Sequence, residues 1–343
     1  MGFSDLKKVK RILIVGLGSM GKKYLDIVTN NFPDVKIGVI SNRTSSELSE
    51  EQATIDFLFN NISDALEFQP DGVIVCNPAS SHVDSALPFI ESGSSILIEK
   101  PISNDINKAK NIVKLCKEKN IISMMGYNLR YLPSLIEFKR NIDSGLIGEI
   151  YSVKGEVGSF LPNWRKGFDY RDSVSAKKSA GGGVLNELSH EIDYIQWIFG
   201  KVTWVSSILS KQSDLEIDVE DSCNMILGLQ RENQKNEVLA SLNLDFIRQD
   251  PVRTCTVIGS KGSLFWNGLK GAVHFFPAGG NSWQILHNTE EDIFSTYVNE
   301  VKDFINCMNS NVQPSSDCAQ GLIVLEIIEA VRESSKKFKV IRL

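Results

Sequence analysis

A glycine motif directly after a short apolar run is the feature that most limits how this chain can fold. Residues 11–15 read RILIV, which is typical of a buried strand, and residues 22–31 show helical spacing. Glycines between a strand and a helix let the backbone approach a pyrophosphate, and the helix N-terminus supplies free N–H groups. The motif predicts a dinucleotide site, unless it is a turn that merely needs three glycines. Its residues are Gly16, Gly18, Ser19, Met20 and Gly21.

Strands and helices alternate through the first third of the chain. Further apolar runs predict strands at 36–41, 72–76 and 96–99, and helical spacing covers 80–92 and 103–119, with Ser103 placed as a cap. Strands that are apolar throughout and separated by helices indicate a parallel sheet buried on both faces. The sequence therefore predicts a doubly wound α/β domain, the Rossmann arrangement.

The pattern of apolar and polar residues changes after Gly126. Residues 237–246 alternate between apolar and polar, which predicts an antiparallel sheet with one packed face and one free face. Other predicted strands are 149–157, 202–210, 222–229 and 253–258, with a turn at 259–263 and closing helices at 291–308 and 317–335. The prediction is therefore two domains, residues 1–126 and 127–343.

Composition excludes several function classes. Lys and Arg number 37 and Asp and Glu 42, so the net charge of −5 argues against nucleic acid as the main partner. None of the six cysteines forms a CxxC pair, so no metal site is predicted, and buried thiols in a reducing cytosol are expected. The chain shows neither a signal peptide nor an apolar run long enough to span a membrane. We therefore expect a cytoplasmic protein without a membrane partner.

The residues at the end of the second predicted strand determine whether the site prefers NAD or NADP. NAD sites usually place an acid there for the ribose 2′-hydroxyl, but this chain has Ser41, Asn42 and Arg43, and Glu47 comes only later. Arg43 is suited to pair with a 2′-phosphate, helped by Ser41 or Asn42; the alternative is an ordinary solvated loop arginine. The sequence predicts NADP in preference to NAD, or use of both.

Four further segments carry a resemblance to a known family. They are NPASSH at 77–82, EKP at 99–101, GYNLRY at 126–131, and the triple glycine at 181–183 that leads to His190 and Asp193. With the glycine motif upstream, this set resembles the Gfo/Idh/MocA family, the glucose–fructose oxidoreductase and inositol dehydrogenase group. The resemblance implies a Rossmann domain and a C-terminal α+β domain with a large open, mostly antiparallel sheet. It also implies NAD(P)-linked oxidation or reduction of sugars or cyclitols.

Lys100 follows the carboxyl end of a predicted parallel strand, the edge where ligands bind in such sheets. A lysine there can stabilise charge on a substrate oxygen as hydride leaves, and the resemblance makes Lys100 the catalytic lysine. Glu99 then orients Lys100 or contacts the cofactor. Other positions that the resemblance or the site context places beside the cofactor are Asn77, Pro78, His82 and Asn128.

Residues 184–199 predict one helix with an apolar stripe, and Asn186, His190 and Asp193 lie on its opposite side. Histidine titrates near neutrality, so His190 is the predicted acid–base for the substrate hydroxyl. Many family members carry Asp four residues before this histidine, where this chain has Asn186. Asn186 is kept as a catalytic-site candidate that orients substrate, and Glu187 is placed to compensate in part for the missing carboxylate.

Substrate recognition is predicted in the aromatic and polar stretch 161–171. Trp164 or Tyr170 would stack on a sugar and Arg165 would bind a hydroxyl, carboxylate or phosphate; the alternative is a purely structural loop. Further substrate candidates are Arg130, Glu187 and Asp193. The pattern WR…DYR…GGG…LSHEID resembles the bacterial branch associated with surface-polysaccharide sugars, including amino and nucleotide sugars.

The predicted function is an NAD(P)-dependent dehydrogenase or reductase of a ring hydroxyl or ketone. A non-catalytic dinucleotide-binding protein, with a regulatory or assembly role, is the alternative that Asn186 keeps open. A third possibility is a tightly held cofactor that cycles between two sugars. The free face of 237–246 includes Leu239, and the family pairs such sheets face to face, so we expect a homodimer or homotetramer.

Overall fold

The computed structural model describes residues 8–41, 54–232 and 234–343. Contacts divide the chain into two units. The first holds residues up to 128 together with 294–325, and the second holds 129–293 together with 326–343. The predicted boundary at 126 treated each domain as one continuous segment, whereas packing places part of the C-terminal region with the first unit.

The first unit contains a parallel sheet with six described strands in the order β3-β2-β1-β4-β5-β6. Four helices connect them along the chain. The strands are β1 (Arg11–Val15), β2 (Lys36–Ile40), β3 (Phe57–Phe59), β4 (Gly72–Val75), β5 (Ser95–Glu99) and β6 (Ser123–Gly126). The helices are α1 (Ser19–Asn31), α2 (Ile62–Glu67), α3 (His82–Glu91) and α4 (Ile106–Glu118). This is the predicted doubly wound sheet, and β1, β2, β4 and β5 lie where the apolar runs placed them.

Apolar strand interiors explain this sheet. Ile12, Ile14 and Ile74 are fully buried and belong to one core with Tyr24 and Val28 of α1. Full burial of a side chain of this size contributes about 1.5–3 kcal/mol, so these strands are stable only with helices on both faces. The N-terminal cap of α4 is Asp105, whose carboxylate accepts N–H bonds from residues 107 and 108, so the prediction of Ser103 as cap was wrong.

The second unit contains a sheet with nine described strands, in the order β14-β13-β12-β11-β7-β10-β9-β8-β15. The strands are β7 (Ile150–Gly158), β8 (Lys201–Ser210), β9 (Ser222–Gln230), β10 (Val238–Asp245), β11 (Val252–Gly259), β12 (Gly262–Asn267), β13 (Ala272–Pro277), β14 (Gln284–Asn288) and β15 (Ile341–Arg342). All neighbours run antiparallel except β7 and β10. The predicted alternation in β10 is confirmed, because Val238, Ala240, Leu242 and Leu244 are buried while Leu239 is half exposed.

Five further helices complete the described chain. They are α5 (Pro133–Asp143), α6 (Val184–Glu187), α7 (His190–Phe199), α8 (Ile293–Ser310) and α9 (Cys318–Lys337). Phe304 and Val301 of α8 belong to the core of the first unit. Phe138 of α5 and Tyr194 of α7 both contact the buried indole of Trp266 in the second unit. No helix among the described residues is long and apolar enough to cross a membrane.

Candidate active site

The glycine motif forms the turn between β1 and α1. Gly16 has φ +96°, and a Cβ added there would lie 3.0 Å from the Asn77 backbone. A Cβ on Gly21 would lie 1.9 Å from the carbonyl oxygen of Gly16, so this position also requires glycine. Around Gly18, by contrast, a Cβ would meet nothing within 4 Å. The first and third glycines therefore close the turn, and the second leaves open space in front of it.

The start of α1 fits a phosphate group. Gly18 is the N-cap, no side chain caps the helix, and its first turn contains no acid. Gly18 and Ser19 are exposed and Met20 is half-buried, so the first N–H groups face an open surface. Uncapped N–H groups and the positive end of the helix dipole favour an anion, as the sequence predicted. Ser41 is buried after β2, while Asn42 and Arg43 lie outside the described residues.

The NPASSH segment follows β4 and is tied down by internal hydrogen bonds. The Asn77 amide donates to Ser85 Oγ at 2.7 Å, and Pro78 precedes a short 3₁₀ turn at 79–81. His82 is 1% exposed, and its Nδ1 and Nε2 lie 2.8 and 2.7 Å from the carbonyl oxygens of Pro101 and Asn77. His82 therefore links two loops at one edge of the sheet, and its ring is not exposed to a ligand.

The protonation state of His82 is set by opposing effects. Two carbonyl neighbours favour an imidazolium, since a neutral ring can donate to only one of them. Burial opposes the charge, the Lys100 ammonium adds to that opposition, and together they lower the pKa of His82 to about 4. Burial dominates because a charged ring would be fully desolvated. His82 is thus a neutral structural link rather than a proton donor at neutral pH.

Glu99 ends β5, and Lys100 follows it at the predicted ligand edge. Glu99 is buried, its Oε2 accepts the backbone N–H of Lys100 at 3.1 Å, and its Oε1 accepts the Tyr24 hydroxyl at 2.7 Å. Lys100 is half-buried, and the peptide bond to Pro101 is cis. Asn128, also buried, donates from Nδ2 to Thr296 Oγ1 at 2.7 Å. The carboxylate of Glu99 therefore holds the backbone of Lys100.

The region of His190 differs from the single helix that was predicted. The structure has two helices, α6 and α7, separated by Leu188 and Ser189. His190 is half-buried and begins α7, and Glu187 ends α6. The predicted polar side does not face solvent, because Asn186 and Asp193 are 3% and 2% exposed. The periodicity was misleading here because buried polar groups that bind one another occupy positions that normally face water.

Asn186 is fully engaged by its own unit. Its amide nitrogen lies 2.9 Å from the carbonyl oxygen of Gly181 and 3.3 Å from that of Gly182, and its Oδ1 accepts from Arg332 at 3.0 Å. The side chain thus supports the glycine loop before α6. An aspartate would place a negative oxygen beside two carbonyl oxygens, which gives a physical reason for asparagine at this position.

Arg130 and Asp193 bind each other. The guanidinium donates to both carboxylate oxygens, at 2.9 and 2.6 Å, and both side chains are almost completely buried. The ring of Trp197 lies under the guanidinium, 5.3 Å away. Burial raises the pKa of Asp193, and the charge of Arg130 opposes this. The two predicted substrate ligands therefore form an internal ion pair, and their predicted substrate role is not supported by this geometry.

The loop between β7 and α6 brings the remaining substrate candidates together. Trp164, Arg165 and Tyr170 line one small cleft with Phe168. Trp164 packs edge-on against Phe246 and donates to the Ser159 carbonyl at 3.2 Å, while the Tyr170 hydroxyl accepts the backbone N–H of Glu216. Arg165 is exposed and lies 5.8 Å from the Phe168 ring. Two aromatic anchors thus hold a loop that presents an exposed arginine side chain.

Sequence reasoning missed two residues next to Glu99. Tyr24 contributed only to the helical spacing of α1, and Glu300 lies in a helix predicted to belong to the other domain. Both are fully buried, and the Tyr24 hydroxyl lies within hydrogen-bonding distance of both glutamates. A glutamate in the middle of the apolar pattern of α8 was the only signal available.

Known proteins resemble the chain along nearly its whole length. The family model described as "Oxidoreductase family, NAD-binding Rossmann fold" matches residues 10–127, and "Oxidoreductase family, C-terminal alpha/beta domain" matches residues 139–343. The scyllo-inositol 2-dehydrogenase (NAD(+)) of Bacillus subtilis is 24% identical over 92% of this chain and 91% of its own. The inositol 2-dehydrogenase of Rhizobium meliloti is also 24% identical, over 95% and 97%.

Solved structures share the fold. Levoglucosan dehydrogenase in complex with NADH and L-sorbose matches with a TM-score of 0.85 and 19% identity, over 97% of this chain and 98% of that one. The WlbA dehydrogenase from Bordetella pertussis, in complex with NADH and UDP-GlcNAcA, matches with a TM-score of 0.81 and 22% identity, over 98% and 99%. The two family models together span most of the sequence. The chain therefore belongs to the Gfo/Idh/MocA oxidoreductases, NAD-dependent dehydrogenases that act on CH–OH groups.

Proposed function

We propose that this chain moves a hydride between a nicotinamide and a ring hydroxyl or ketone of a sugar, cyclitol or nucleotide sugar. The observation that carries the proposal is Lys100, held by its own backbone bond to buried Glu99 at the carboxyl end of β5. Relatives named as inositol dehydrogenases and a structural neighbour named as a levoglucosan dehydrogenase support this substrate class. The WlbA neighbour, solved in complex with UDP-GlcNAcA, supports extending it to nucleotide sugars.

The first unit supplies the binding of the cofactor in this proposal. Gly16, Gly18 and Gly21, with the uncapped start of α1, would hold the pyrophosphate, and the bound nicotinamide supplies the hydride acceptor or donor. The Lys100 ammonium would stabilise negative charge on the reacting substrate oxygen. His190 would take the hydroxyl proton on one imidazole nitrogen during oxidation and return it during reduction. Asn186 would act by fixing the glycine loop before α6 rather than by raising the basicity of His190.

Substrate selection is assigned to the loop before α6. Trp164 and Tyr170 are held by packing and hydrogen bonds, so they offer rigid ring surfaces of the kind on which sugars stack. Arg165 is exposed and would select a substrate carrying a hydroxyl, carboxylate or phosphate. Glu187, at the end of α6, would accept a bond from a substrate hydroxyl.

We further propose that the site prefers NADP or uses it alongside NAD. The basis is the sequence after β2, where Ser41-Asn42-Arg43 has no acid to bind a 2′-hydroxyl. The ratio of kcat/KM for the two cofactors tests this directly, with Arg43→Ala as the informative variant. The proposal is supported if Arg43→Ala loses activity with NADP and keeps activity with NAD. A strong preference of the parent protein for NAD would refute it.

We also propose a homodimer or homotetramer formed through the free face of the nine-stranded sheet. Ile208, Ile226 and Leu239 are about half exposed on this face, among polar neighbours such as Ser241 and Asn243. Apolar side chains grouped on an exposed sheet are typical of interaction surfaces. Light scattering should give a multiple of the chain mass of 38.2 kDa, and Ile226→Lys should shift it toward the monomer. A parent protein that is monomeric would contradict this.

The decisive test is turnover of NAD and NADP with a panel of inositols, free sugars and UDP-sugars. We expect reduction of cofactor with at least one member, and Lys100→Ala should lower kcat by roughly 10²- to 10³-fold. His190→Ala should lower kcat less than Lys100→Ala does. Folding of each variant is checked by thermal unfolding. Full turnover in Lys100→Ala would show that the assigned mechanism is wrong.

A further inference from the structure

Two buried carboxyl groups and one phenol form a cluster behind Lys100. The Tyr24 oxygen lies 2.7 Å from Glu99 Oε1 and 3.0 Å from Glu300 Oε2, and all three side chains are buried. Glu99 Oε2 accepts the backbone N–H of Lys100. The residues come from α1, β5 and α8, so the contact joins three elements of the first unit. The arrangement connects the interior of the unit to the proposed catalytic lysine in three hydrogen bonds.

Counting protons shows how this cluster must be arranged. A tyrosine hydroxyl has one proton to donate and oxygen lone pairs to accept, so Tyr24 cannot donate to both carboxyls at once. Both short distances are hydrogen bonds only if one carboxyl is protonated and donates to the Tyr24 oxygen. Two adjacent buried carboxylates would also repel each other, which favours a shared single charge. The cluster therefore holds one negative charge and not two.

The surroundings decide which carboxyl carries the charge. Burial raises the pKa of Glu99, but the bonds from Tyr24 and from the Lys100 backbone, together with the Lys100 charge, oppose this and favour its ionised form. Glu300 has a buried Oε1 with no hydrogen-bond partner among the described residues. Burying a carboxyl oxygen that receives no hydrogen bond costs far less free energy in the neutral acid than in the carboxylate, because a buried charge must be paired. Glu300 is thus the protonated member.

Other charged and titratable groups around the cluster are consistent with this assignment. Burial, followed by the nearby Glu99, raises the pKa of Glu300 well above its usual range, and Asp303 acts in the same direction. Lys23 lies over the Tyr297 ring at 3.9 Å and favours ionisation of both glutamates, but burial lowers its own pKa. The Cys76 thiol also lies near Glu99, and burial raises its pKa. Lys23 and Lys100 are therefore the cations that favour the single charge on Glu99, while Asp303 favours the neutral form of Glu300.

We propose that Glu300 and Tyr24 are positioning residues for Lys100, forming a chain in which neutral Glu300 donates to Tyr24, Tyr24 donates to ionised Glu99, and Glu99 holds the Lys100 backbone. This inference rests on the proposed catalytic role of Lys100. Its chemical consequence is that Glu99 stays ionised below the pH at which a buried glutamate would otherwise take up a proton. Without Tyr24, Glu99 would protonate at a higher pH. A protonated Glu99 would bind the Lys100 backbone N–H less strongly, and it would no longer offer a negative charge to the Lys100 ammonium.

Infrared spectroscopy tests the proton assignment without any substrate. The parent protein at pH 8 should show the carbonyl stretch of a buried protonated carboxylic acid, and Glu300→Gln should lose it. Glu99→Gln is the matched control. If the band persists in Glu300→Gln and disappears in Glu99→Gln, or if the parent shows no such band, the proposed chain is wrong.

Kinetics test the positioning role. Tyr24→Phe removes the bond that lowers the pKa of Glu99, so the acidic limb of kcat should move to higher pH. Glu300→Leu removes the donor to Tyr24, and misplacement of Lys100 should cost up to about 100-fold in kcat. Glu300→Gln offers an amide N–H in place of the acid proton, so it should recover a large part of that loss. NADH binding, followed by fluorescence, should change little in all three variants.

These outcomes separate this inference from the proposed function. If Lys100→Ala abolishes turnover while Tyr24→Phe and Glu300→Leu match the parent at every pH, the positioning role is refuted and the proposed function stands. If Glu300→Gln loses as much kcat as Glu300→Leu in a protein of parental thermal stability, the role of neutral Glu300 is also refuted. If Lys100→Ala retains turnover, the proposed function itself fails.

Discussion

The two units hold their functional residues in different ways. In the first unit, the glycine turn and Lys100 lie where buried parallel strands end; backbone atoms pack closely in the turn, and the Lys100 backbone N–H binds Glu99. In the second unit, Asn186 and the pair Arg130–Asp193 are buried through side-chain contacts between elements distant in sequence. Trp164 and Arg165 lie on a loop with short turns only. The glycine turn can thus follow from local geometry, while the substrate half depends on long-range pairing.

The largest expected effect on stability lies in the second unit. Arg130→Met leaves the Asp193 carboxylate buried without its cation, and this should lower the free energy of unfolding by about 3–5 kcal/mol. Denaturant unfolding measures the effect. Lys108→Met breaks the exposed pair with Asp84 and is the control, with an expected loss below about 1 kcal/mol. Equal losses in the two variants would remove the distinction between the buried pair and a surface pair.

A pH effect is expected in the first unit. Burial holds the pKa of His82 at about 4 in the folded chain, below its ordinary value of 6.5, so the unfolded chain binds the extra proton between these values. Stability should therefore fall as the pH falls below about 6.5, by roughly 2 kcal/mol at pH 5 from this group alone. Unfolding of the parent and of His82→Gln at pH 7.5 and pH 5 checks this. The acid-side loss should be smaller in the variant; an unchanged loss would contradict the neutral, buried ring.

The departure at Asn186 gives a third comparison. Asn186→Asp restores the carboxylate that many family members carry, but it places that charge beside the carbonyl oxygens of Gly181 and Gly182. We expect a loss of about 1–3 kcal/mol in stability and no gain in kcat. Thermal unfolding and turnover are measured together, with Asn163→Asp, an exposed position, as the control. A rise in kcat without loss of stability would show that a carboxylate at position 186 assists catalysis, and that Asn186 is not needed to support the glycine loop.

The smallest effect on stability is expected at the exposed loop. Arg165→Ala should change the free energy of unfolding by no more than about 0.5 kcal/mol, because the side chain is exposed. If Arg165 contacts substrate, KM should rise while the unfolding midpoint stays constant. A large loss of stability with unchanged KM would place Arg165 among the structural residues and break the contrast between the two units.

Much of the first unit could be predicted from the sequence. The apolar runs located β1, β2, β4 and β5 within a residue or so, because a strand buried on both faces must be apolar throughout. The segments β3 and α2 carry weaker patterns and escaped notice. The cap of α4 was misplaced by two residues, since Ser103 and Asp105 are both chemically able to cap.

The second unit was less predictable in its details. The alternation in β10 was correct, yet neither the parallel pairing of β7 with β10 nor the break between α6 and α7 could be inferred. Strand neighbours are chosen by packing across the whole sheet, which a local pattern does not report. Likewise, polar residues such as Asp193 look solvent-exposed in a pattern until a buried partner such as Arg130 is known.

By itself, the sequence determined the doubly wound sheet, the glycine turn, the EKP position of Lys100 and the family, because each of these depends on residues close together in the chain. Only the tertiary structure decided that His82 is a buried link and that Arg130 and Asp193 are a pair. It also brought Glu300 to Tyr24 across 276 positions of sequence. The physical reason is that charges and protons are set by neighbours in space, and those neighbours come from elements that the sequence keeps far apart.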